Sequence, residues 1–224
     1  LSYLFDPDEI FESNLKRCGV QRFISQSPKI KDQEHAARQL ARPLKQIGLC
    51  AHDAAPILYP NEADRFAARE FLGRPAAPLF AIHPGSGSET KNWPIENWIT
   101  LGEHLLSIKN PRVTLVVVSG AADERQTARL RSLWKQKPAR FAMNLALPHL
   151  AALLEGSIFV GHDSGISHLA AAAGARCVLL FGPTDPAIWA PANRNVTILR
   201  APEGNLRKLR FETVRDALDF RFTN

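Results

Sequence analysis

Residues 113–118 read Val-Thr-Leu-Val-Val-Val, apolar at every position but Thr114. A strand with water on one face alternates polar and apolar residues, so a run this continuous predicts a strand covered on both faces, as in a parallel sheet with helices above and below. Upstream, Leu79–Ile82 is a shorter run of the same kind. Between the two, Ile95–Ile108 places Trp98, Leu101, Leu105 and Ile108 on one helical stripe, with Pro94 suited to a first turn. Downstream, Asp123–Lys135 reads as a helix that buries Leu130, Leu133 and Trp134. Strand Phe141–Leu145 precedes helix Pro148–Glu155, strand Ile158–Gly161 precedes helix Ser164–Ala173, and Cys177–Phe181 is a further strand. Right-handed crossovers would stack these units into a doubly wound α/β layer.

The first 70 residues are less regular. A strand at Leu1–Leu4, a helix at Asp8–Arg17, a strand at Arg22–Ser25 and a helix at Glu34–Ile47, kinked by Pro43, are expected there. Asn61 reads as the N-cap of a helix over Glu62–Leu72, and Gly73–Pro78 as a linker. The boundary is therefore expected near residue 74, with 1–74 forming one domain and 75–224 the other. The closing stretch Phe211–Phe220 puts Val214 and Leu218 on one side and is expected to pack on the protein rather than on lipid.

The chain of 224 residues is 45% hydrophobic and 22% charged, enough to bury a core. Disorder, collagen-like repeats and transmembrane spans are excluded by composition, since no apolar run nears the roughly 20 residues a bilayer requires. The formal charge of +6 could suit an anionic ligand or an anionic membrane surface, but it is scattered and interleaved with acids, which argues against nucleic acid. Cys18, Cys50 and Cys177 are widely spaced with no CxxC pair, so reduced thiols in the cytoplasm are expected. The first residue is Leu1 rather than Met, which predicts further sequence upstream.

Chemistry concentrates where strands end. Val160–Ala173, VGHDSGISHLAAAA, carries a buried strand into a small-residue helix. Asp163 or Ser164 can cap it, Gly165 lets a ligand approach the backbone, and the unpaired N–H groups of the first turn favour an anion. The alternative is that Asp163 and Ser164 only cap a structural helix. His168 lies four residues after Ser164, on the same face; alone it reads as a packed histidine. His162 and His168 are six apart with no carboxylate at ligand spacing, so no metal site is expected. A nucleophile elbow is not matched by Gly161-His162-Asp163-Ser164-Gly165.

His83–Pro94, HPGSGSETKNWP, is a polar loop directly after a strand. It fails the Walker pattern, because Thr90 precedes Lys91 and Asn92 follows it. It reads either as a solvated surface loop or as a flexible phosphate-facing loop in which Ser86, Ser88 and Lys91 serve an anion. Phe181–Pro191 offers Thr184 and Asp185, either as ligand lining or within a rigid connection packed by Trp189. After the central strand, Glu124 could accept hydrogen bonds from a ribose, while Asp123 could cap the next helix.

In this order, HPGSGSETKNWP, SGAADE, NLALPHLAALLEGS, GHDSGISHLAAAAG and LFGPTDP resemble the C-terminal half of family 9 glycosyltransferases, the ADP-heptose:lipopolysaccharide heptosyltransferases. The resemblance is strongest over residues 78–200, and residues 1–74 resemble the tail of the family's N-terminal domain. It implies a GT-B fold: a Rossmann-like doubly wound parallel sheet with an incomplete second α/β domain. It also implies that Ser86, Lys91, Glu124, Asp163, Ser164, Gly165, His168 and Thr184 bind the donor. Lys91 would contact the phosphates, Asp163 to Gly165 would hold the diphosphate, Glu124 would reach the ribose, and the Leu145–Leu147 edge would lie near the adenine.

The reaction implied is transfer of heptose from ADP-heptose to a lipid A and inner-core acceptor, inverting, with no metal and no cofactor beyond the substrate ADP-sugar. Lys91 would stabilise charge on the departing ADP. A cytoplasmic location follows, with peripheral contact at the inner face of the inner membrane as an option. The general base is expected in sequence preceding Leu1, so the 224-residue chain is expected to bind nucleotide but turn over poorly. The rival reading is a non-catalytic nucleotide-binding module that retains only the donor half.

Overall fold

The computed structural model describes residues 1–31, 33–73, 78–109, 112–120 and 123–222, and side chains through residue 218. Its apolar runs form six parallel strands: β1 (Leu79–Ile82), β2 (Thr114–Ser119), β3 (Ala139–Met143), β4 (Ile158–His162), β5 (Arg176–Phe181) and β6 (Val196–Arg200). Their order across the sheet is β3-β2-β1-β4-β5-β6. In register, Ala81 of β1 sits beside Val116 of β2 and Phe159 of β4. Strand β2 is buried at every position, as the run at 113–118 requires.

Alternate residues feed two apolar layers. Phe80, Ile82, Leu115, Val117, Val160 and Leu180 face one cluster, which also takes in Trp98, Leu101 and Leu105 of α4 (Ile95–Ser107), Leu130 of α5 (Glu124–Leu133), and Val214 and Leu218 of α9 (Phe211–Phe222). Ala81, Val116, Val118, Phe159, Leu179 and Phe181 face the other. That layer is completed by Leu150, Leu153 and Leu154 of α6 (Leu147–Leu154) and by Ala170 and Ala171 of α7 (Gly165–Ala172). Each large side chain so buried contributes about 1.5–3 kcal/mol, which makes this two-sided packing the main source of the sheet's stability.

The chain divides into two compact units, residues 1–54 with 187–189 and residues 55–186 with 190–224. The boundary expected near residue 74 falls on 74–77, outside the described residues. Helix α3 (Glu62–Leu72), assigned from sequence to the first domain, is part of the sheet unit: Leu72 and Ala68 join its core, and Arg65 pairs with Glu155 at 2.8 Å. Its start is as expected. Asn61 accepts from Asp64 N–H at 2.9 Å while the Asp64 carboxylate accepts from Asn61 N–H at 3.1 Å, a reciprocal cap.

In the first unit, α1 (Ile10–Arg17) is held at its start by the Asp6 carboxylate, which accepts from Phe11 N–H at 3.1 Å and Glu12 N–H at 3.0 Å. These two donors pull the Asp6 carboxyl below its usual range. The helix expected over Glu34–Ile47 is instead α2 (Ala36–Ala41) followed by a 3₁₀ turn at Arg42–Ile47, because Pro43 cannot continue the α-helical ladder. The two strands expected at Leu1–Leu4 and Arg22–Ser25 reduce to one parallel bridge, Ser2 with Ser25. The short helix α8 (Pro186–Trp189) follows β5, and Trp189, expected to pack, is 40% exposed. All three cysteines are free, and no described helix is long and apolar enough to cross a membrane.

Candidate functional site

The strand order reverses between β1 and β4, whose crossovers run in opposite directions. Beyond the carboxyl ends of such a pair the sheet leaves a crevice, because the helices on either side diverge there. The loop after β1 and the start of α7 after β4 both reach it.

Loop 83–94 is stapled rather than flexible. His83 N–H continues the β1–β4 pairing onto Val160 O at 2.9 Å. The Ser86 hydroxyl lies 2.9 Å from Ser88 O and 2.8 Å from Asn92 Oδ1. Glu89–Lys91 then make one 3₁₀ turn, closed by Lys91 N–H donating to Ser88 O at 3.0 Å. At the far end, Trp93 N–H donates to His162 Nε2 at 2.8 Å and the Trp93 indole donates to Leu209 O at 2.8 Å. The His162 ring also stands edge-on to Trp98, centroids 5.3 Å apart. Burial pushes the His162 imidazole down to about 3, so the ring is neutral and free to accept at Nε2.

Two side chains join the loop to β4. Lys91 Nζ lies 2.8 Å from Asp163 Oδ2, with Lys91 about a third exposed and Asp163 nearly buried. Ser164 is the N-cap residue, in extended conformation, and its hydroxyl accepts from Ser167 N–H at 3.4 Å. The cap is thus Ser164, and Asp163 serves Lys91. Gly165 opens the helix with no atom within 4 Å of where a Cβ would stand. By helix geometry the first N–H groups of α7 have no intrahelical acceptor and point out of its start.

Behind the loop lies a buried pair that the sequence did not disclose. His83 Nε2 is 3.0 Å from Asp123 Oδ2, each side chain about 5% exposed or less. Asp123 was a candidate cap for α5, but its carboxylate makes no cap bond into that helix and instead accepts from Gly120 N–H at 2.9 Å. Burial would raise the Asp123 carboxyl; the His83 contact and the Gly120 N–H outweigh it and hold the group below its usual range. Gly85 packs so tightly here that a Cβ would stand 1.9 Å from Asp123 Cβ. On its other ring nitrogen, His83 Nδ1 faces Ser164 Oγ at 3.4 Å.

The remaining expected residues are placed unevenly. Ser86 and the exposed Glu124 line one cavity of about 350 Å³ together with Ser88 and Asn92. The Ser86 hydroxyl is engaged within its own loop. His168 stands one turn along α7, half-buried, with its N–H on Ser164 O at 3.3 Å. The Thr184 hydroxyl oxygen is buried without a hydrogen-bond partner among the described residues. Its neighbour Pro183 lines a second cavity of about 410 Å³ with Glu89, Asn92 and Arg207. Leu147, on the edge expected near the adenine, is 59% exposed, while Leu145 packs on the core. Among the described residues, no three His, Cys, Asp or Glu side chains gather as metal ligands.

The profile of the family described as glycosyltransferase family 9 (heptosyltransferase) matches residues 21–218. Lipooligosaccharide heptosyltransferase 2 of Haemophilus influenzae is 30% identical over 139 residues, covering 59% of this chain and 39% of its own length. Lipopolysaccharide heptosyltransferase 1 of Escherichia coli K12 is 33% identical over 136 residues, covering 58% of this chain and 40% of its own. The chain thus spans about two fifths of the length of these curated relatives.

Among solved structures, a family 9 glycosyl transferase from Veillonella parvula superimposes with a TM-score of 0.73 at 20% identity, over 88% of this chain and 63% of its own. The E. coli heptosyltransferase WaaC with ADP does so with a TM-score of 0.66 at 23% identity, over 87% of this chain and 59% of its own. These likenesses bear out the α/β, GT-B-type fold. With the profile covering most of its residues, the chain belongs to glycosyltransferase family 9, the heptosyltransferase family.

Proposed function

We propose that the crevice between β1 and β4 binds the diphosphate of ADP-heptose, and that the protein transfers the heptose to the inner core of a lipid A-linked acceptor. The observation that carries this reading is the Lys91–Asp163 contact, which fixes a cation beside the open amino end of α7. An ammonium has three donors. Asp163 takes one, which leaves two for phosphate oxygens. Gly165, with open space above it, lets those oxygens reach the backbone N–H groups, where the helix dipole adds about 0.3–2 kcal/mol. Ser164 supplies a hydroxyl at the same place, and Glu124, which lines a cavity with Ser86, would take the ribose hydroxyls.

As the bond from sugar to diphosphate breaks, negative charge grows on the departing ADP. Lys91 and the α7 terminus stabilise that charge, the task a divalent cation performs in other enzymes, which fits the metal-free transfer that the family resemblance implies; the same resemblance implies inversion. The acceptor is lipid-linked, which puts the protein at the cytoplasmic face of the inner membrane in peripheral contact.

Titration calorimetry of the 224-residue chain with ADP, UDP and GDP tests the nucleotide reading. ADP is expected to bind in preference to the other two. No heat with ADP at millimolar concentration, or equal binding of all three, overturns it. Assay of labelled ADP-heptose with heptose-free lipopolysaccharide, reading the anomeric configuration of the product, tests transfer and inversion.

A further inference from the structure

Asp123, His83 and Ser164 form a continuous line from the buried side of the crevice to its mouth, 3.0 Å from carboxylate to ring and 3.4 Å from ring to hydroxyl. We propose that this line is a proton-coupled positioning relay, in which His83 takes up a proton when a diphosphate binds and thereby turns the Ser164 hydroxyl hydrogen toward a phosphate oxygen. The proposal deepens the nucleotide reading above and rests on it.

Counting donors and acceptors leads to it. Asp123 is acceptor-only as a carboxylate and its Oδ2 has no other partner among the described residues, so the relay assigns the hydrogen of a neutral His83 ring to Nε2 and leaves a lone pair on Nδ1 facing Ser164. The Ser167 hydroxyl donates to His162 O, so its hydrogen is not available to Ser164. Ser164 Oγ accepts the Ser167 N–H, and its single hydrogen is held inward, where His83 Nδ1 at 3.4 Å and Ser167 Oγ at 3.2 Å are its acceptors. In that state it can only accept, and a phosphate oxygen needs a donor.

Protonation from solvent at Nδ1 reverses the middle link. Nδ1–H then donates to Ser164 Oγ, both oxygen lone pairs are used, and the hydroxyl hydrogen turns to a phosphate oxygen, a stronger acceptor than the neutral Ser167 hydroxyl. No bond to carbon or phosphorus changes; the proton comes from water. The other groups set around His83 leave this exchange to it. Asp123 faces Nε2 and stays ionised, His162 at the end of β4 is neutral and occupied by Trp93 N–H, and Lys91 and Asp163 balance one another beside Ser164. His83 and Asp123 are positioning residues acting through Ser164.

The test is calorimetry of ADP binding to the 224-residue chain in buffers of different ionisation enthalpy, at pH about 8, where the terminal phosphate of ADP (second pKa ~6) is already ionised. The slope of heat against buffer enthalpy gives the protons taken up. Wild type is expected to take up a larger fraction of a proton per ADP than His83→Gln, and to bind several-fold more tightly. Equal proton uptake by the two proteins, with ADP bound by both, overturns the relay and leaves the nucleotide reading standing. If wild type binds no ADP, both fall. A measurement on the unaltered chain guards against a misfolded variant: the ¹⁵N shifts of the His83 ring should pass from the Nε2–H tautomer to the doubly protonated form on adding ADP. Ring shifts that do not move on saturation with ADP overturn the relay.

Discussion

Trp93 N–H donates to His162 Nε2 across 2.8 Å, joining the last residues of the β1 loop to the last residue of β4 inside the core. The bond requires a neutral ring. With the folded value near 3 against an ordinary 6.5, the unfolded chain takes up a proton below pH 6.5 that the native ring refuses. Stability is therefore expected to fall as pH drops from 6.5 toward 3, with a slope approaching about 1.4 kcal/mol per pH unit. Asp123, Asp6, Glu155 and Glu212, all held below their usual values, add loss in the same direction once pH enters the ordinary carboxylate range, so pH about 5 to 6.5 is the interval in which the histidine dominates. Urea melts over that interval should show the slope in wild type and a flatter line in His162→Gln; parallel lines would refute the assignment.

Lys91→Ala removes the cation while its partner Asp163 stays at the crevice. Hydrogen bonds to charged groups contribute about 1.5–3 kcal/mol, so ADP affinity is expected to fall roughly 10- to 100-fold. Since the pair is partly open to water, the melting temperature should hardly move. The same titration in excess EDTA should leave wild-type affinity unchanged. An unaltered affinity in Lys91→Ala removes Lys91 from the phosphate role.

Gly165→Ala separates folding from binding. No protein atom lies where the new methyl would stand, and alanine favours a helix over glycine by up to about 1 kcal/mol, so the variant should melt at or above the wild-type temperature. The methyl would stand between the phosphate and the backbone N–H groups. A loss of affinity of about tenfold, or 1.4 kcal/mol, is expected; wild-type ADP binding in the variant would show that no ligand approaches there.

Gly85→Ala should do the reverse. Its Cβ would stand 1.9 Å from Asp123 Cβ, and both neighbours are buried. Overpacking of this kind costs about 1–3 kcal/mol, visible as a lower denaturant midpoint, and it should also disturb the His83–Asp123 contact. A variant with unchanged stability would mean that the loop relaxes freely.

Much of this was legible in the residues, for reasons that differ by element. Four strands, β1, β2, β4 and β5, announced themselves as apolar runs because both faces are covered, while the edge strand β3, only partly buried, was expected at Phe141–Leu145 and lies at Ala139–Met143. Strand β6, with Thr197 and Arg200 in an edge position, carries no such run and was missed. The Asn61 cap was readable because its partner Asp64 is three residues away. Loop 83–94 was expected to be flexible because its composition is that of a surface loop; its anchors, His162 and Leu209, lie 69 and 116 residues along the chain from Trp93. Distance also hid Asp123, which reads locally as a helix cap and turns instead to a histidine 40 residues earlier.

Because Trp93, Ser86 and Gly85 hold the β1 loop in place from both ends and from beneath, that segment has little freedom left to surrender when a guest arrives. The entropic toll of ordering has been met during folding, so recognition in this crevice resembles a key entering a cut lock more than a hand closing on it, and contacts made there convert into affinity with small loss.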